Sequence, residues 1–288
     1  GDWVQNARLT PGDTYVNFVG SAVAIDGEFA VVGAPRDNSG GVSAGTAFIY
    51  KRDSKANGDW TLMQEISPNV SEPYSFFGNS VSIIGGTVFV GAEYSDIAGA
   101  NAGAVFVFQL SGGNWSQDQI LTPSDAMAWS HFGGSIDTQG SKVVVGAYGD
   151  PNANGGAYVF ELQDGNTYEQ TDLLLASDGS YGDRFGNSVS YGSGFVVVGA
   201  PNFQEKKGSA YVYEFSAPPF RGKSSRAGAS FVNKKHRSGG PVRSGMSFEY
   251  FGNYDDHDYF VTTSAIEYYD AHEMANVLGG LLNRAASL

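Results

Sequence analysis

Short apolar runs separated by glycine-containing turns recur along the first 215 residues of the sequence. Four of these runs share one pattern: a glycine, an apolar strand, a tight turn, a second apolar strand and a Gly-Ala pair. The two glycines of the pattern are 13 residues apart in every copy: Gly20 and Gly33, Gly78 and Gly91, Gly133 and Gly146, Gly186 and Gly199. Their period of 53 to 58 residues is typical of repeat arrays and β-propellers.

Each repeat predicts four short strands. The first repeat has strands at residues 23–25, 30–32 and 46–50, and a fourth that begins at Trp60, with a glycine hairpin between the first two. In the second repeat the third strand reads "AVFVF" from Ala104, so neither of its faces is polar. Both faces must therefore be covered, as they are when a blade lies between two others. The pattern predicts an all-β fold: a β-propeller of four-stranded antiparallel blades with four repeats visible, and a short α+β C-terminal segment.

The Phe-Gly pairs followed by Val-Gly-Ala-Pro or its variants resemble the FG-GAP repeat of integrin-type β-propellers, over residues 1–215. The resemblance implies that the repeated glycines are structural. Two interpretations of the ring stay open, because the last repeat has no aromatic-led fourth strand. Either the N-terminal run "WVQNARL" from Trp3 completes that repeat and closes a four-bladed ring, or the sequence is a piece of a longer propeller, since the resembled family usually builds seven blades.

Charge divides the sequence into three regions, which we take as its domains. Residues 1–215 carry a net charge of −14 and form the propeller repeats. Residues 216–245 carry +7 and are rich in Gly, Ser and Pro, which predicts a basic flexible linker or, alternatively, a site for an anionic surface. Residues 246–288 carry −6. The acidic propeller argues against nucleic acid as a partner, and no apolar run is long enough to predict a transmembrane segment.

Residues 246–288 resemble the opening of a C-type-lectin-like domain. The features of the resemblance are a strand with the paired aromatics Tyr259 and Phe260, a predicted helix, and the pair Gly279-Gly280. The resemblance implies carbohydrate binding. In that family the sugar and calcium ligands lie in the second half of the domain, so we assign no binding residue here.

One stretch has the spacing of a calcium loop. Residues 150–161 carry oxygen-bearing side chains at alternate positions, and we take Asp150, Asn152 and Asn154 as candidate calcium ligands. The alternative is an Asx-rich turn without an ion. Calcium is the one cofactor considered. The position that binds calcium in integrin-type repeats is a tight turn in all four copies, so we do not expect calcium at that position.

We expect a recognition or adhesion protein that is extracellular or at the cell surface. It would bind a protein or glycan ligand through loops that differ between the repeats. No catalytic residue is assigned: the chain has no cysteine, and its four histidines fit no nucleophile–base arrangement. The alternatives are a propeller hydrolase acting on glycans or phosphoesters, and a purely structural spacer. Channel walls of serine would count against the hydrolase, and we expect four serines there: Ser21, Ser80, Ser135 and Ser188. The oligomeric state is not predicted.

Overall fold

The computed structural model describes residues 2–12, 16–53, 59–149, 154–163, 167–215, 248–254 and 257–262. The chain divides into two compact units, Gly1–Ser216 and Ala217–Leu288. Among the described residues, no helix has the length and apolar character needed to cross a membrane.

The first unit is a row of four antiparallel sheets, one for each repeat, which we call blades 1 to 4. Blade 1 contains β1 (Ala22–Asp26), β2 (Phe29–Ala34), β3 (Thr46–Arg52) and β4 (Trp60–Ile66). Blade 2 contains β5 (Ser80–Ile84), β6 (Thr87–Ala92), β7 (Ala104–Ser111) and β8 (Asn114–Leu121). Blade 3 contains β9 (Phe132–Gln139), β10 (Lys142–Ala147), β11 (Gly156–Leu162) and β12 (Tyr168–Leu174). Blade 4 contains β13 (Ser188–Gly192), β14 (Phe195–Ala200) and β15 (Ser209–Glu214), with the short helix α1 (Phe203–Lys206) before β15.

Within each blade the strands pair in chain order. The fold class is confirmed: the blades are antiparallel β-sheets in a propeller-like row, although blade 4 has three strands rather than four. The second unit contains one described hairpin, formed by β16 (Phe248–Tyr254) and β17 (His257–Thr262).

Neighbouring blades pack face to face, and this packing explains the two apolar faces of the third strands. In β7, Val105 and Val107 belong to the hydrophobic core between blades 2 and 3. Phe106 and Phe108 point the other way, into the core between blades 1 and 2. The predicted burial of both faces is therefore confirmed.

The phenylalanines of the Phe-Gly pairs anchor these cores. Phe77 is fully buried and lies edge-on to two rings of its own third strand, with ring centroids 5.5 Å from Phe106 and 6.0 Å from Phe108. Phe132 and Phe185 are equally buried and contact their own third strands in the same way. The repeated spacing of aromatics in the sequence thus corresponds to one packing unit per blade.

Two of the serines that we expect to line a channel also join neighbouring blades. The Ser80 hydroxyl donates to the Gly133 carbonyl at 2.6 Å, and the Ser135 hydroxyl donates to the Gly186 carbonyl at 3.0 Å. Each bond joins one blade to the next, and the lining of a channel by Ser80 and Ser135 stays a prediction. Ser21 instead donates locally, to the Phe18 carbonyl.

The N-terminal run forms no strand in this structure: residues 2–12 have no regular secondary structure. The N-terminal run of this chain therefore does not close a four-bladed ring in this structure. Leu9, Val16 and Val19 instead pack against the face of blade 1 that is turned away from blade 2. The buried residues of that face are Val32, Ala34, Phe48 and Tyr50.

Candidate functional site

Two kinds of loop meet at one end of the blades, which we call the loop end. The segment that leads into β5 is hydrogen-bonded to the β2–β3 loop, with Phe77 N donating to Ala44 O at 3.0 Å. On its other side it is bonded to the β6–β7 loop, with Tyr94 N donating to Ser75 O at 3.3 Å. Each such segment is thus held between the loops of two neighbouring blades.

A continuous row of stacked side chains crosses the loop end, and we call it the aromatic ladder. It runs from blade 1 to blade 4 in this order: Phe18, Arg36, Phe76, Tyr94, His131, Tyr148, Arg184. The guanidinium carbon of Arg36 lies 4.6 Å from the centre of the Phe18 ring and 5.7 Å from that of Phe76. These distances fall within the range of cation–π attraction.

The middle of the aromatic ladder consists of ring–ring contacts. The Tyr94 ring lies edge-on to Phe76, with centroids 5.1 Å apart, and to His131, at 4.7 Å. His131 stacks on Tyr148 at 5.1 Å with nearly parallel planes, and the guanidinium of Arg184 lies 5.8 Å from the Tyr148 ring. The aromatic ladder therefore couples all four blades through side chains at one end.

Backbone conformation places four members of the aromatic ladder. Phe18, Phe76, His131 and Arg184 each stand immediately before the first residue of the Phe-Gly or Val-Gly pair, and each has a left-handed φ between 55° and 61°. This conformation is costly for bulky side chains. The conformation is retained in four blades with three different residue types, Phe, His and Arg, so the repeat fixes the backbone at this position while the side chain varies.

The centre of the aromatic ladder also contains titratable groups in a partly buried setting. Burial raises the pKa of Glu93, although a hydrogen bond from Tyr148 opposes the shift. Burial and the neighbouring Glu93 raise the pKa of Tyr148 well above its usual range. Burial lowers the pKa of His131, and Arg184 lowers it further. The His131 Nδ1 lies 3.3 Å from the Glu93 carbonyl oxygen, and this hydrogen bond opposes the lowering of the His131 pKa.

Exposed aromatic side chains extend the site toward solvent. Tyr74 and Trp129 occupy equivalent positions in the segments that lead into β5 and β9, and both have left-handed φ values, 64° and 69°. Their side chains are 60% and 57% exposed. Tyr181, in the corresponding segment of blade 4, is also exposed. Large exposed aromatics grouped at one end of a protein are characteristic of interaction surfaces.

A cleft of about 630 Å³ opens at the loop end of blade 4. Its lining includes Asp178, Tyr181, Asp183 and Lys206. Asp178 accepts a hydrogen bond from the Tyr211 hydroxyl at 2.8 Å, and Asp183 accepts one from the Ser180 amide at 2.6 Å. The cleft is thus bounded by carboxylates that already have partners within the blade.

The candidate calcium ligands are only partly within the described residues. Asp150 and Asn152 lie outside them, and the side-chain amide of Asn154 donates to the Gly179 carbonyl at 2.9 Å. No group of three or more His, Cys, Asp or Glu side chains suited to a metal ion occurs in the part of the chain that the structure describes. Calcium binding at Asp150, Asn152 and Asn154 stays a prediction.

The first repeat has a carboxylate, Asp37, at the position equivalent to Asp150. Asp37, like Asp150, stands third after its Gly-Ala pair. It is buried and accepts hydrogen bonds from the Thr46 hydroxyl at 2.8 Å and the Ser39 amide at 3.2 Å. Burial alone would raise the pKa of Asp37, but these hydrogen bonds outweigh it and lower the pKa. In blade 1 this carboxylate stabilises its own loop.

Our sequence reasoning missed the aromatic ladder, although a signal for it was present. The residue before each Phe-Gly or Val-Gly pair is large in every repeat, while the residue that precedes it is a smaller polar one: Asn17, Ser75, Ser130 or Asp183. The contacts between repeats, such as Tyr94 with His131, depend on how blades stack. The sequence pattern does not specify that stacking geometry.

Comparison with protein families matches the FG-GAP repeat four times, over residues 3–50, 60–108, 115–160 and 168–213. No curated protein matches the sequence. Among solved structures, the chain is similar to Sqt1 of Saccharomyces cerevisiae, with 12% sequence identity and a TM-score of 0.40. The similarity covers 66% of this chain and 44% of that one, so this chain spans less than half the length of Sqt1.

Proposed function

This chain belongs to the FG-GAP repeat family, and we propose that it is a recognition protein that binds a protein or glycan ligand at its loop end. The observation that carries the proposal is the exposure of Tyr74 and Trp129 in equivalent left-handed positions of adjacent blades. A conformation that costs free energy is retained at both positions. The reason we offer is that it directs an aromatic ring toward a ligand.

The surroundings of these rings suit recognition. Tyr and Trp contribute large contact areas at low cost in conformational entropy and dominate binding energy at many interfaces. The central rings of the aromatic ladder at the same end are half-buried and in contact with one another, so they hold this part of the surface in a fixed shape before a ligand arrives. Arg36 and Arg184 add positive charge to an otherwise acidic unit, which favours ligands with anionic or carbonyl groups.

We place this protein outside the cell or at its surface, where recognition and adhesion by such repeats take place. The lectin-like resemblance of residues 246–288 stays a prediction that would add carbohydrate binding to the same chain. The described part of that region is the β16–β17 hairpin, in which Tyr250 pairs with Phe260.

The experiment is a binding screen on an array of glycans and on immobilised extracellular-matrix proteins. For any ligand found, a double variant Tyr74→Ala with Trp129→Ala should weaken binding by about 30-fold or more, as expected when residues central to an interface are truncated. The control is Leu62→Ala with Ile120→Ala, which removes exposed apolar side chains from the outer strands β4 and β8. Equal binding by the aromatic double variant and the wild type would refute the proposed surface. An absence of ligands in both screens would favour a structural spacer.

A hydrolase is the second candidate function, and Glu93 is the observation that favours it. A carboxyl group whose pKa is raised by burial, with a tyrosine hydroxyl bonded to it, is a feature of acid–base sites. Hydrolysis of chromogenic glycosides or phosphoesters by the wild type, lost in Glu93→Gln, would establish the hydrolase instead of a pure recognition protein.

A further inference from the structure

Two neighbouring junctions at the loop end are built in the same way, and we call them subsite 1 and subsite 2. Subsite 1 consists of the β2–β3 loop and the segment that leads into β5, where the Tyr74 amide donates to the Val42 carbonyl at 2.8 Å. Subsite 2 consists of the β6–β7 loop and the segment that leads into β9, where the Trp129 amide donates to the Ala100 carbonyl, also at 2.8 Å. Each subsite therefore holds one exposed aromatic ring beside one loop.

Each loop also contributes a planar polar side chain in a fixed orientation. Asn38 and Asp96 stand at equivalent positions, five residues after the glycine of their Gly-Ala pairs. The Asn38 Oδ1 accepts a hydrogen bond from the Ser43 amide at 2.8 Å, and the Asp96 Oδ1 accepts one from the Asn101 amide at 2.7 Å. Asn38 and Asp96 are exposed, so their other polar atoms can reach a ligand.

This combination of side chains is suited to a sugar. The flat C–H face of a sugar ring packs on an aromatic ring, and its hydroxyl groups bond to a few oriented polar atoms. An asparagine amide and a carboxylate supply donors and acceptors for those hydroxyl groups. The two subsites repeat this arrangement on neighbouring blades, which favours a ligand that is itself a chain of similar units.

Subsite 1 carries a positive charge that is available to a ligand. The Arg36 guanidinium lies between the rings of Phe18 and Phe76, and its side chain is exposed. Among the described residues, neither ion pair includes Arg36, and the adjacent Asp37 is buried and bonded within its own loop. A guanidinium stacked between rings keeps the N–H groups at its edge free, and their planar fork matches the two oxygens of a carboxylate.

Subsite 2 has the opposite charge. Tyr94 takes the position of Arg36 there, three residues after the glycine of the Gly-Ala pair, and Asp96 takes that of Asn38. Glu72 lies beside Asp96, because its Oε2 accepts a hydrogen bond from the Asp96 amide at 3.3 Å. An acidic ligand unit is therefore attracted to subsite 1, whereas like charges disfavour it in subsite 2.

We propose that the loop end binds a glycan in which acidic and neutral sugars alternate, with a carboxylate on Arg36 in subsite 1 and a neutral sugar on Trp129 in subsite 2. The inference rests on the proposed function, because it uses the same exposed aromatics. A polymer with an acid on every unit is disfavoured by the carboxylates of subsite 2 and by the net charge of −14 on residues 1–215.

The first test is calorimetric titration of the full 288-residue chain with oligosaccharides of hyaluronan and of unsulfated chondroitin, in both of which glucuronate alternates with a neutral amino sugar. The matched controls are the same oligosaccharides with their carboxyl groups reduced, and oligogalacturonate, which is acidic at every unit. At least one alternating glycan should bind, and both controls should bind about 10-fold more weakly or worse, because a charge-assisted hydrogen bond is lost or like charges are added. Binding of neither alternating glycan, or equal binding of its carboxyl-reduced form, would overturn the proposal.

The second test locates the acid on Arg36. Arg36→Gln should weaken binding of the alternating glycan by about 10-fold or more and leave binding of its carboxyl-reduced form unchanged. Arg36→Lys should also lose most of the affinity, because an ammonium group lacks the planar fork. The matched control is Arg52→Gln, which removes the same charge from an exposed arginine at the other end of β3 and should bind as the wild type does. Equal weakening by Arg36→Gln and Arg52→Gln would show that only overall charge matters and would refute the contact.

Two outcomes distinguish this inference from the proposed function. Binding of the carboxyl-reduced glycan as tightly as the acidic one, lost in the Tyr74→Ala with Trp129→Ala double variant, would keep the recognition surface and refute its preference for an acid. Glycan binding that neither Arg36→Gln nor the aromatic double variant weakens would refute both.

Discussion

Replacement of Gly91 by alanine tests whether the blades are held together by close backbone contact. An added Cβ at Gly91 would lie 3.1 Å from the carbonyl carbon of Gly133 in the next blade and closer still to its oxygen. Ordinary contact begins at about 3.4 Å, and a backbone group cannot rotate away as a side chain can. Blades 2 and 3 would have to separate, which would also strain the hydrogen bond from the Ser80 hydroxyl to the Gly133 carbonyl.

The expected loss combines two contributions. Overpacking typically costs about 1–3 kcal/mol, and a lost hydrogen bond costs about 1 kcal/mol. A total near 3 kcal/mol would lower the thermal midpoint of a unit of this size by roughly 6–12 °C. Urea unfolding followed by circular dichroism measures the free energy of unfolding, and a thermal scan measures the midpoint.

Gly199 provides the matched control, because it holds the same position in blade 4. An added Cβ there meets the side chain of Ser188, its own pairing partner, but no backbone of a following blade. Gly199→Ala should then change the free energy of unfolding by less than about 1 kcal/mol. An equal loss in the two variants would refute the reasoning.

Two further predictions concern charged groups. The pKa of Glu93 is raised above its usual 4.5 in the folded chain, so its carboxyl group lowers stability as pH rises from 4.5 through the folded pKa. Glu93→Gln should therefore raise the free energy of unfolding in urea at pH 7 and give no gain below about pH 4; an equal gain at both pH values would contradict this. If Asp150, Asn152 and Asn154 bind calcium, millimolar calcium added after EDTA should raise the thermal midpoint of the full chain. Asp150→Ala should abolish that rise, magnesium is the control ion, and an unchanged midpoint in the wild type would exclude the site.

The blade architecture could be predicted because the same local sequence pattern occurs in each of the four repeats. The glycine spacing, the hairpin turns and the alternation in "AVFVF" from Ala104 all concern residues close in sequence, where pattern and structure are directly linked. The burial of Val107 on one face and Phe108 on the other followed from that alternation alone. Such reasoning did not predict contacts between blades, for example the hydrogen bond from the Ser80 hydroxyl to the next blade.

The candidate site could be predicted less well, because it depends on side chains that the repeat does not fix. The sequence predicted a calcium site at Asp150 and its neighbours, where oxygen-bearing residues alternate. The structure instead brings together Tyr94, His131 and Tyr148 from two different blades. His131 comes from a position whose left-handed backbone recurs in every blade while its residue type varies. A search for such positions finds sites that a search for ligand spacing overlooks.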